Sequence, residues 1–158
     1  MADDAPSLLK HANNPRVAIN LRDRFPHPYE AAHADTFLRW VATQPVETVW
    51  AIEVAGEAAG GIGIELRADV ERVSAEIGYW LGEAHWGRGI VTAALRAVTP
   101  DVLRRFELTR LYALPFADNL ASIRVLEKAG YELEGRLRRS AIKNGHIKDQ
   151  FLYARYAD

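Results

Sequence analysis

Residues 75–94 read AEIGYWLGEAHWGRGIVTAA, and they join a strand pattern, a glycine-bearing loop and the start of a helix pattern. Ile77 and Leu81 fall on one face of an alternating segment, which is typical of a half-buried strand. Gly87 and Gly89 follow, and apolar residues then return at helical spacing. We therefore predict a strand that leads through a short loop into a helix beginning next to Gly89.

The loop carries the pattern Gly-Arg-Gly at residues 87–89. A helix start leaves backbone N–H groups without intrahelical partners and presents the positive end of the helix dipole, which suits a phosphate. Glycine lets a ligand approach those amides closely, and Arg88 can add a charge-assisted contact. The pattern is short, so a tight turn without a ligand is an equally good interpretation of the loop alone.

A second segment, residues 119–130, reads NLASIRVLEKAG. Asn119 is a favourable N-cap, and Gly130 stands where a left-handed residue ends a helix. Ser122 lies in the first turn, where its hydroxyl can face a ligand at the helix start. Helix capping explains Asn119 and Ser122 equally well without any ligand.

Taken together, the motifs WGRGIV at 86–91, NLAS at 119–122 and NGHIKDQFLY at 144–153 resemble the GNAT superfamily of acetyl-CoA-dependent N-acetyltransferases. Within it, the sequence is most similar to the Rim-type ribosomal-protein N-acetyltransferases. The likeness covers residues 21–156. Two motifs in the expected order and at the expected separation are more specific than either motif alone.

The resemblance implies one α/β domain over residues 1–158, with a mixed, mostly antiparallel central sheet and helices on both faces. It implies acetyl-CoA as co-substrate, a pyrophosphate bound by loop amides, pantetheine held along a strand end, and direct transfer of acetyl to an amine. A homodimer is also what the family leads us to expect. The residues that the resemblance assigns to the cofactor are Tyr79, Trp80, Leu81, Trp86, Gly87, Arg88, Gly89, Ile90, Val91, Thr92, Asn119 and Ser122.

For catalysis, the resemblance points to Ser122 as proton donor to the leaving thiolate, because Leu126 stands where many relatives carry a tyrosine that acts as the general acid. Glu76 is the best carboxylate for a base, with a structural ion pair as the alternative, and Asp118 is a weaker choice. Freeing an α-amine at pH 7 costs about 1 kcal/mol, against about 4.6 kcal/mol for lysine. With water as the only base, a peptide N-terminus or another weakly basic amine is the expected acceptor.

Several positions depart from the family pattern. Val91 replaces a small residue in the loop motif, Ala141 replaces a glutamate that some Rim-type relatives carry, and no strand is predicted before Leu21. These departures keep two alternatives open: a non-catalytic acyl-CoA sensor, and a nucleotide-binding regulator without preference for CoA. The aromatic segment 25–29 is interpreted either as a lining of the acceptor cleft or as an ordinary packed connection.

Composition excludes several other classes. The 158 residues carry a formal net charge of −1 and no basic run, so nucleic acid is not an expected partner. The chain has no cysteine, and its five scattered histidines show no metal-binding spacing. No apolar run reaches membrane-spanning length and the N-terminus does not resemble a signal peptide, so we expect a cytoplasmic protein without a membrane partner.

Periodicity predicts the remaining elements. The predicted helix at 35–42 places Trp40 in the core. The predicted helix after Gly89 continues past Pro100, with a kink or a break at Thr99. The predicted helices span 7–14, 35–42, 90–106 and 119–129, and the predicted strands span 49–54, 58–66, 75–81, 111–114, 131–140 and 147–156.

Overall fold

The computed structural model describes residues 4–157, and these residues form both helices and strands. The helices are α1 (Ala5–Ala12), α2 (Pro15–Ala18), α3 (Ala31–Ala42), α4 (Ile90–Arg105) and α5 (Leu120–Lys128); the strands are β1 (Val49–Val54), β2 (Glu57–Leu66), β3 (Ser74–Leu81), β4 (Arg110–Ala113), β5 (Glu132–Lys143) and β6 (His146–Tyr156).

The six strands form one sheet in the order β1-β2-β3-β4-β6-β5. The pairs β1–β2, β4–β6 and β5–β6 are antiparallel, whereas β3 and β4 are parallel and are connected through α4. A parallel pair needs a crossover connection, and the long apolar-striped helix after β3 supplies it. The predicted mixed, mostly antiparallel sheet is confirmed.

Two hairpin turns set the register of the pairs β1–β2 and β5–β6. Ala55 and Gly56 have φ values of +51° and +80°, and Asn144 and Gly145 have φ values of +49° and +78°. Two successive positive φ values are typical of the tight turn that matches the twist of paired strands. The predicted β1–β2 hairpin is confirmed, and Asn-Gly is the strongest short hairpin signal in a sequence.

The described residues group into two compact units, each with most of its contacts inside the unit. The first contains the residues up to Gly63 together with Tyr79–Arg88, and the second contains Ile64–Gly78 together with the residues from Gly89 onward. In the first unit, α1 and α3 bury Leu8, Ala12, Tyr29, Ala34 and Ala58, against which Phe25, Phe37 and Trp80 pack.

The second unit has its own core, formed by Ile77, Leu95, Val102, Leu111 and Leu126. These residues come from β3, α4, β4 and α5, so the helix stripes and the strand face predicted from periodicity meet there. The helix α4 continues past Pro100, as predicted, and it does so as one element, so the alternative of a break at Thr99 is wrong. The kink stays a prediction.

Some details of the predictions are wrong. The helix α1 begins at Ala5 and ends at Ala12, two residues ahead of the predicted span, because Pro6 occupies its first turn, where proline is tolerated. The helix α3 begins four residues before its prediction, at Ala31. Trp40 is 48% exposed on α3 and stacks on Phe37, so it is not a core residue.

Candidate functional site

The loop between β3 and α4 contains a short 3-10 turn, Glu83–His85, followed by the predicted glycines. Gly87 and Gly89 have φ values of +72° and +74°, a region that side chains rarely adopt. A Cβ atom added at either glycine would have no heavy atom within 4 Å. The glycines are therefore required by the backbone, and the space beside them is open to a ligand.

The helix α4 begins without a side-chain cap. Gly89 is its N-cap residue, and the first intrahelical hydrogen bond runs from the Ala93 N–H to the Gly89 carbonyl at 3.0 Å. The amides of Ile90, Val91 and Thr92 thus precede the first intrahelical donor, and they carry the positive end of the helix dipole. This arrangement attracts an anion such as a phosphate.

The strand end predicted to hold pantetheine is the C-terminal part of β3, in the first unit. Leu81 is buried, and its carbonyl accepts a hydrogen bond from the indole N–H of Trp86 at 2.7 Å. Trp80 packs edge-on against Phe25, with their ring centroids 5.4 Å apart. Of the predicted cofactor residues in this unit, the structure thus joins Leu81 and Trp86 directly.

In the second unit, Asn119 and Ser122 lie together at the start of α5. Asn119 is the N-cap residue, and its side-chain carbonyl accepts a hydrogen bond from the Ser122 N–H at 3.2 Å. Gly130 follows α5 with a φ of +85°, as the left-handed residue predicted there. The capping interpretation of Asn119 is therefore confirmed, while the proposed contact with pantetheine stays a prediction.

Glu76 is paired with Arg67. Its side chain lies on β3, the residue is 9% exposed, and Oε2 accepts a hydrogen bond from Arg67 Nη2 at 2.7 Å. Arg67 Nε also donates to the Tyr112 hydroxyl at 2.7 Å, and this bond together with the nearby carboxylates raises the pKa of the guanidinium. Sequence reasoning missed Arg67 and Tyr112, because the contact joins residues 45 positions apart and no local pattern marks it.

Arg67 and Tyr112 also line a cleft of about 290 Å³ in the second unit. The ring of Tyr112 lies under the guanidinium of Arg110, whose Cζ is 4.6 Å from the ring centroid. Arg110 is paired in turn with Glu134, and this guanidinium lowers the pKa of the Glu134 carboxyl. The cleft is lined by Arg67, Glu71, Ser74, Arg110, Tyr112, Leu114, Leu137 and Leu152.

Asp149, from the third motif, is held by two donors on β5. Its Oδ1 accepts the Arg139 N–H at 2.7 Å, and its Oδ2 accepts from Arg136 Nε at 2.8 Å. These hydrogen bonds lower the pKa of the carboxyl. Tyr153, from the same motif, is buried and donates to Glu127 at 3.0 Å. Both residues thus hold the β5–β6 hairpin and α5 in place.

The residues 1–132 match the family model of the acetyltransferase (GNAT) domain. The chain is a member of the GNAT family. The ribosomal-protein-serine acetyltransferase of Escherichia coli (strain K12) is 40% identical over 85 residues, which is 54% of this chain and 48% of that protein. The uncharacterised N-acetyltransferase YoaA of Bacillus subtilis (strain 168) is 36% identical over 107 residues, 66% of this chain and 60% of the relative.

This GNAT chain therefore spans about half to three fifths of the length of these curated relatives. Among solved structures, a ribosomal L7/L12 α-N-protein acetyltransferase in complex with coenzyme A superposes with a TM-score of 0.85. That match covers 99% of this chain and 90% of the other at 23% identity, so it shows the GNAT fold alone.

The described residues also bear on two other classes of function, metal binding and membrane insertion. Among residues 4–157, no group of three or more His, Asp or Glu side chains is placed to hold a metal ion. Over the same range, every helix is too short or too polar to span a membrane.

Proposed function

We propose that this GNAT protein is an N-acetyltransferase that moves an acetyl group from acetyl-CoA directly to an amine. The observation that carries the proposal is the uncapped start of α4 behind two left-handed glycines, in a GNAT chain whose resemblance to the family implies that this motif binds the co-substrate. The amides from Gly87 to Thr92 would hold the diphosphate, with Arg88 adding a positive charge.

Acetyl-CoA supplies an activated thioester, so the chain has to position the amine, polarise the carbonyl and protonate the leaving sulfur. We assign the protonation to the Ser122 hydroxyl in the first turn of α5. Backbone groups of Tyr79–Leu81 would hold the pantetheine arm, and an N–H directed at the developing oxyanion is worth about 3–4 kcal/mol. The amine nitrogen forms its bond to the carbonyl carbon as the carbon–sulfur bond breaks. The nitrogen then loses its extra proton to water, the sulfur takes a proton from Ser122, and water returns a proton to the Ser122 hydroxyl.

The amine must reach the reaction without its extra proton. Glu76 is the side-chain candidate for a base, but its Oε2 is hydrogen-bonded to Arg67. We therefore propose ordered water as the proton acceptor. Water suffices for an amine whose pKa lies near 8, and it is a poor acceptor for lysine, whose pKa is about 10.4.

This argument favours a peptide or protein N-terminus, or a weakly basic small-molecule amine, as acceptor. The relative named a ribosomal-protein-serine acetyltransferase supports an acceptor of the first kind. An acceptor series that varies only the amine, such as a peptide with a free N-terminus, its N-blocked lysine counterpart and an aromatic amine, tests the assignment. Faster turnover of the lysine peptide at pH 7 would contradict it.

The activity itself is tested by release of free CoA thiol from acetyl-CoA in the presence of the acceptor panel. We expect turnover by the wild type and a kcat reduced by about a hundredfold in Ser122→Ala, the size typical of a lost proton donor. Calorimetry with CoA separates the two steps. Binding without thiol release would show a sensor, and absence of binding would reject the proposed site.

A further inference from the structure

Glu83, in the 3-10 turn before the glycine loop, is held by two side chains from the N-terminal part of the first unit. Asn14 Nδ2 donates to Glu83 Oε2 at 2.7 Å, and the Arg16 guanidinium donates to Glu83 Oε1. Both carboxylate oxygens thus have partners 67 and 69 residues away in the sequence. We call Asn14, Arg16 and Glu83 the clasp.

Asn14 serves two elements at once. Its Oδ1 accepts the Arg16 N–H at 2.8 Å and caps α2, while its amide nitrogen reaches Glu83. The helix that carries Arg16 is therefore oriented by the same side chain that contacts the turn. Asn14 thus binds the Glu83 carboxylate itself and also positions Arg16, the other residue that binds it.

The clasp continues into Trp86, the residue directly before Gly87. The guanidinium carbon of Arg16 lies 5.7 Å from the centroid of the Trp86 ring. The indole N–H donates to the Leu81 carbonyl at 2.7 Å. Arg16 therefore contacts the face of the ring, and Leu81 binds its N–H edge. The backbone supports the same turn, because the Trp86 N–H donates to the Glu83 carbonyl at 3.1 Å.

His11, on α1, packs against the other end of the loop. It is 7% exposed, and its Nε2 lies 2.8 Å from Glu57 Oε2. A Cβ on Gly82 would lie 2.8 Å from His11 Nδ1, so glycine at this position permits the close approach. The His11 ring also lies 5.1 Å from that of His85, and His85 Nδ1 is 3.2 Å from Arg88.

We propose that the clasp is a positioning device that holds the turn before Gly87 in its binding conformation and thereby sets the affinity for acetyl-CoA. The inference rests on the proposed function, since it assigns a purpose to the loop as a cofactor site. Asn14 and Arg16 are positioning residues, because they act through Glu83. If they are lost, binding must order the loop itself, which weakens affinity without changing the bound geometry.

The test compares Arg16→Ala, Glu83→Ala and Asn14→Asp with the wild type. Asn14→Asp keeps the oxygen that caps α2 but places a second carboxylate against Glu83. For each variant we expect the Kd for CoA and the KM for acetyl-CoA to rise about tenfold, with kcat at saturation within twofold of wild type. We also expect faster amide hydrogen exchange in a peptide covering residues 82–88.

Two further variants sharpen the result. The pair Asn14→Asp, Glu83→Gln reverses donor and acceptor, restores the hydrogen bond and should recover the affinity lost in Asn14→Asp. Arg104→Ala is the matched control. It removes a comparable exposed ion pair, Arg104–Asp101 at 2.7 Å, near the far end of α4, about 20 Å along the helix from Ile90. It should leave Kd unchanged.

The outcomes separate the inference from the function on which it rests. A wild type that binds CoA while all three clasp variants bind equally well overturns the clasp and leaves the function standing. A fall in kcat at unchanged KM, tracking the folded fraction, shows a purely structural contact and also overturns it. A wild type that binds no CoA rejects the proposed function and the clasp as an affinity determinant, whatever hydrogen exchange shows for residues 82–88.

Discussion

The side-chain carbonyl of Asn119 accepts a hydrogen bond from the backbone N–H of Ser122, 3.2 Å away in the first turn of α5. The residue proposed to contact pantetheine thus also caps the helix that carries the proposed proton donor. The amide nitrogen of Asn119 is not needed for capping, because the cap uses only the oxygen. Stability and the proposed ligand contact would therefore depend on different atoms of one side chain.

Replacing Asn119 should separate these two roles. Asn119→Ala removes the cap and should lower the free energy of unfolding by about 1 kcal/mol, whereas Asn119→Asp keeps an acceptor and should retain most of it. Both variants lose the amide nitrogen, so both should bind CoA more weakly. Urea unfolding and calorimetry measure the two effects. Wild-type affinity in Asn119→Asp would contradict the contact with pantetheine.

Gly89→Ala should lower both stability and affinity for CoA. A non-glycine residue at a φ of +74° is strained by about 1–2 kcal/mol, and the new methyl group would enter the open space beside the amides. Gly56→Ala is the matched control, since Gly56 has a φ of +80° and equally open surroundings, in the β1–β2 turn. We expect both variants to lose a similar free energy of unfolding in urea, and only Gly89→Ala to bind CoA more weakly. Equal CoA affinities in the two variants would exclude a ligand at Gly89.

Tyr131 should make the fold sensitive to alkali. Burial raises the pKa of its phenol to about 12, although Thr99, 2.7 Å from its hydroxyl, acts in the opposite direction. The group favours the folded state fully below pH 10, and this contribution of up to about 2–3 kcal/mol is lost as pH rises from 10 through 12.

Unfolding measured between pH 8 and pH 12 tests this expectation. Tyr131→Phe should be about 1 kcal/mol less stable at pH 8, because it leaves the Thr99 hydroxyl without this partner, yet it should lose less stability at high pH. Thr99→Val removes the same hydrogen bond but keeps the phenol, so its alkaline loss should be at least as large as that of wild type. Parallel curves for all three proteins would assign the alkaline loss to other groups.

Glu76 and Arg67 should behave as a structural pair. Glu76→Gln and Arg67→Met each remove the Glu76–Arg67 ion pair from a partly buried position, which should lower the free energy of unfolding by about 1–3 kcal/mol. With water as the base, kcat should fall less than tenfold in both variants. Loss of a side-chain base costs a hundredfold or more. A kcat reduced to that extent in Glu76→Gln alone, with its pH dependence abolished, would make Glu76 the base.

Local patterns predicted most of the elements correctly, because their causes are local. The alternation around Ile77, the glycines at 87 and 89 and the cap at Asn119 each depend on residues within a few positions of one another. The exposure of Trp40 could not be predicted in this way. Its spacing on α3 fits a buried stripe, and only the packing of the first unit decides which part of that stripe is covered.

The contacts around the candidate site were equally hidden from sequence reasoning. Glu83 and Arg16 are ordinary exposed charges in a linear reading, and Arg67 gives no sign that it reaches Tyr112 across 45 residues. The contact with Tyr112 becomes visible only when strand order is known, since Tyr112 lies on β4, which a crossover places beside β3. The family motif predicted the position of the loop, whereas the contacts of Asn14 and Arg16 with Glu83 became known only from the structure.

With CoA bound as proposed, the bare start of α4 would couple the folding equilibrium to the concentration of that ligand. A helix terminus capped by glycine, without a side-chain oxygen, forgoes roughly a few tenths of a kcal/mol of local stabilisation until an anion takes that place. An occupant present at a hundred times its Kd would raise the whole protein's resistance to unfolding by about 2.7 kcal/mol. Degradation of this protein by proteases would then follow the supply of the proposed co-substrate, with no separate regulator.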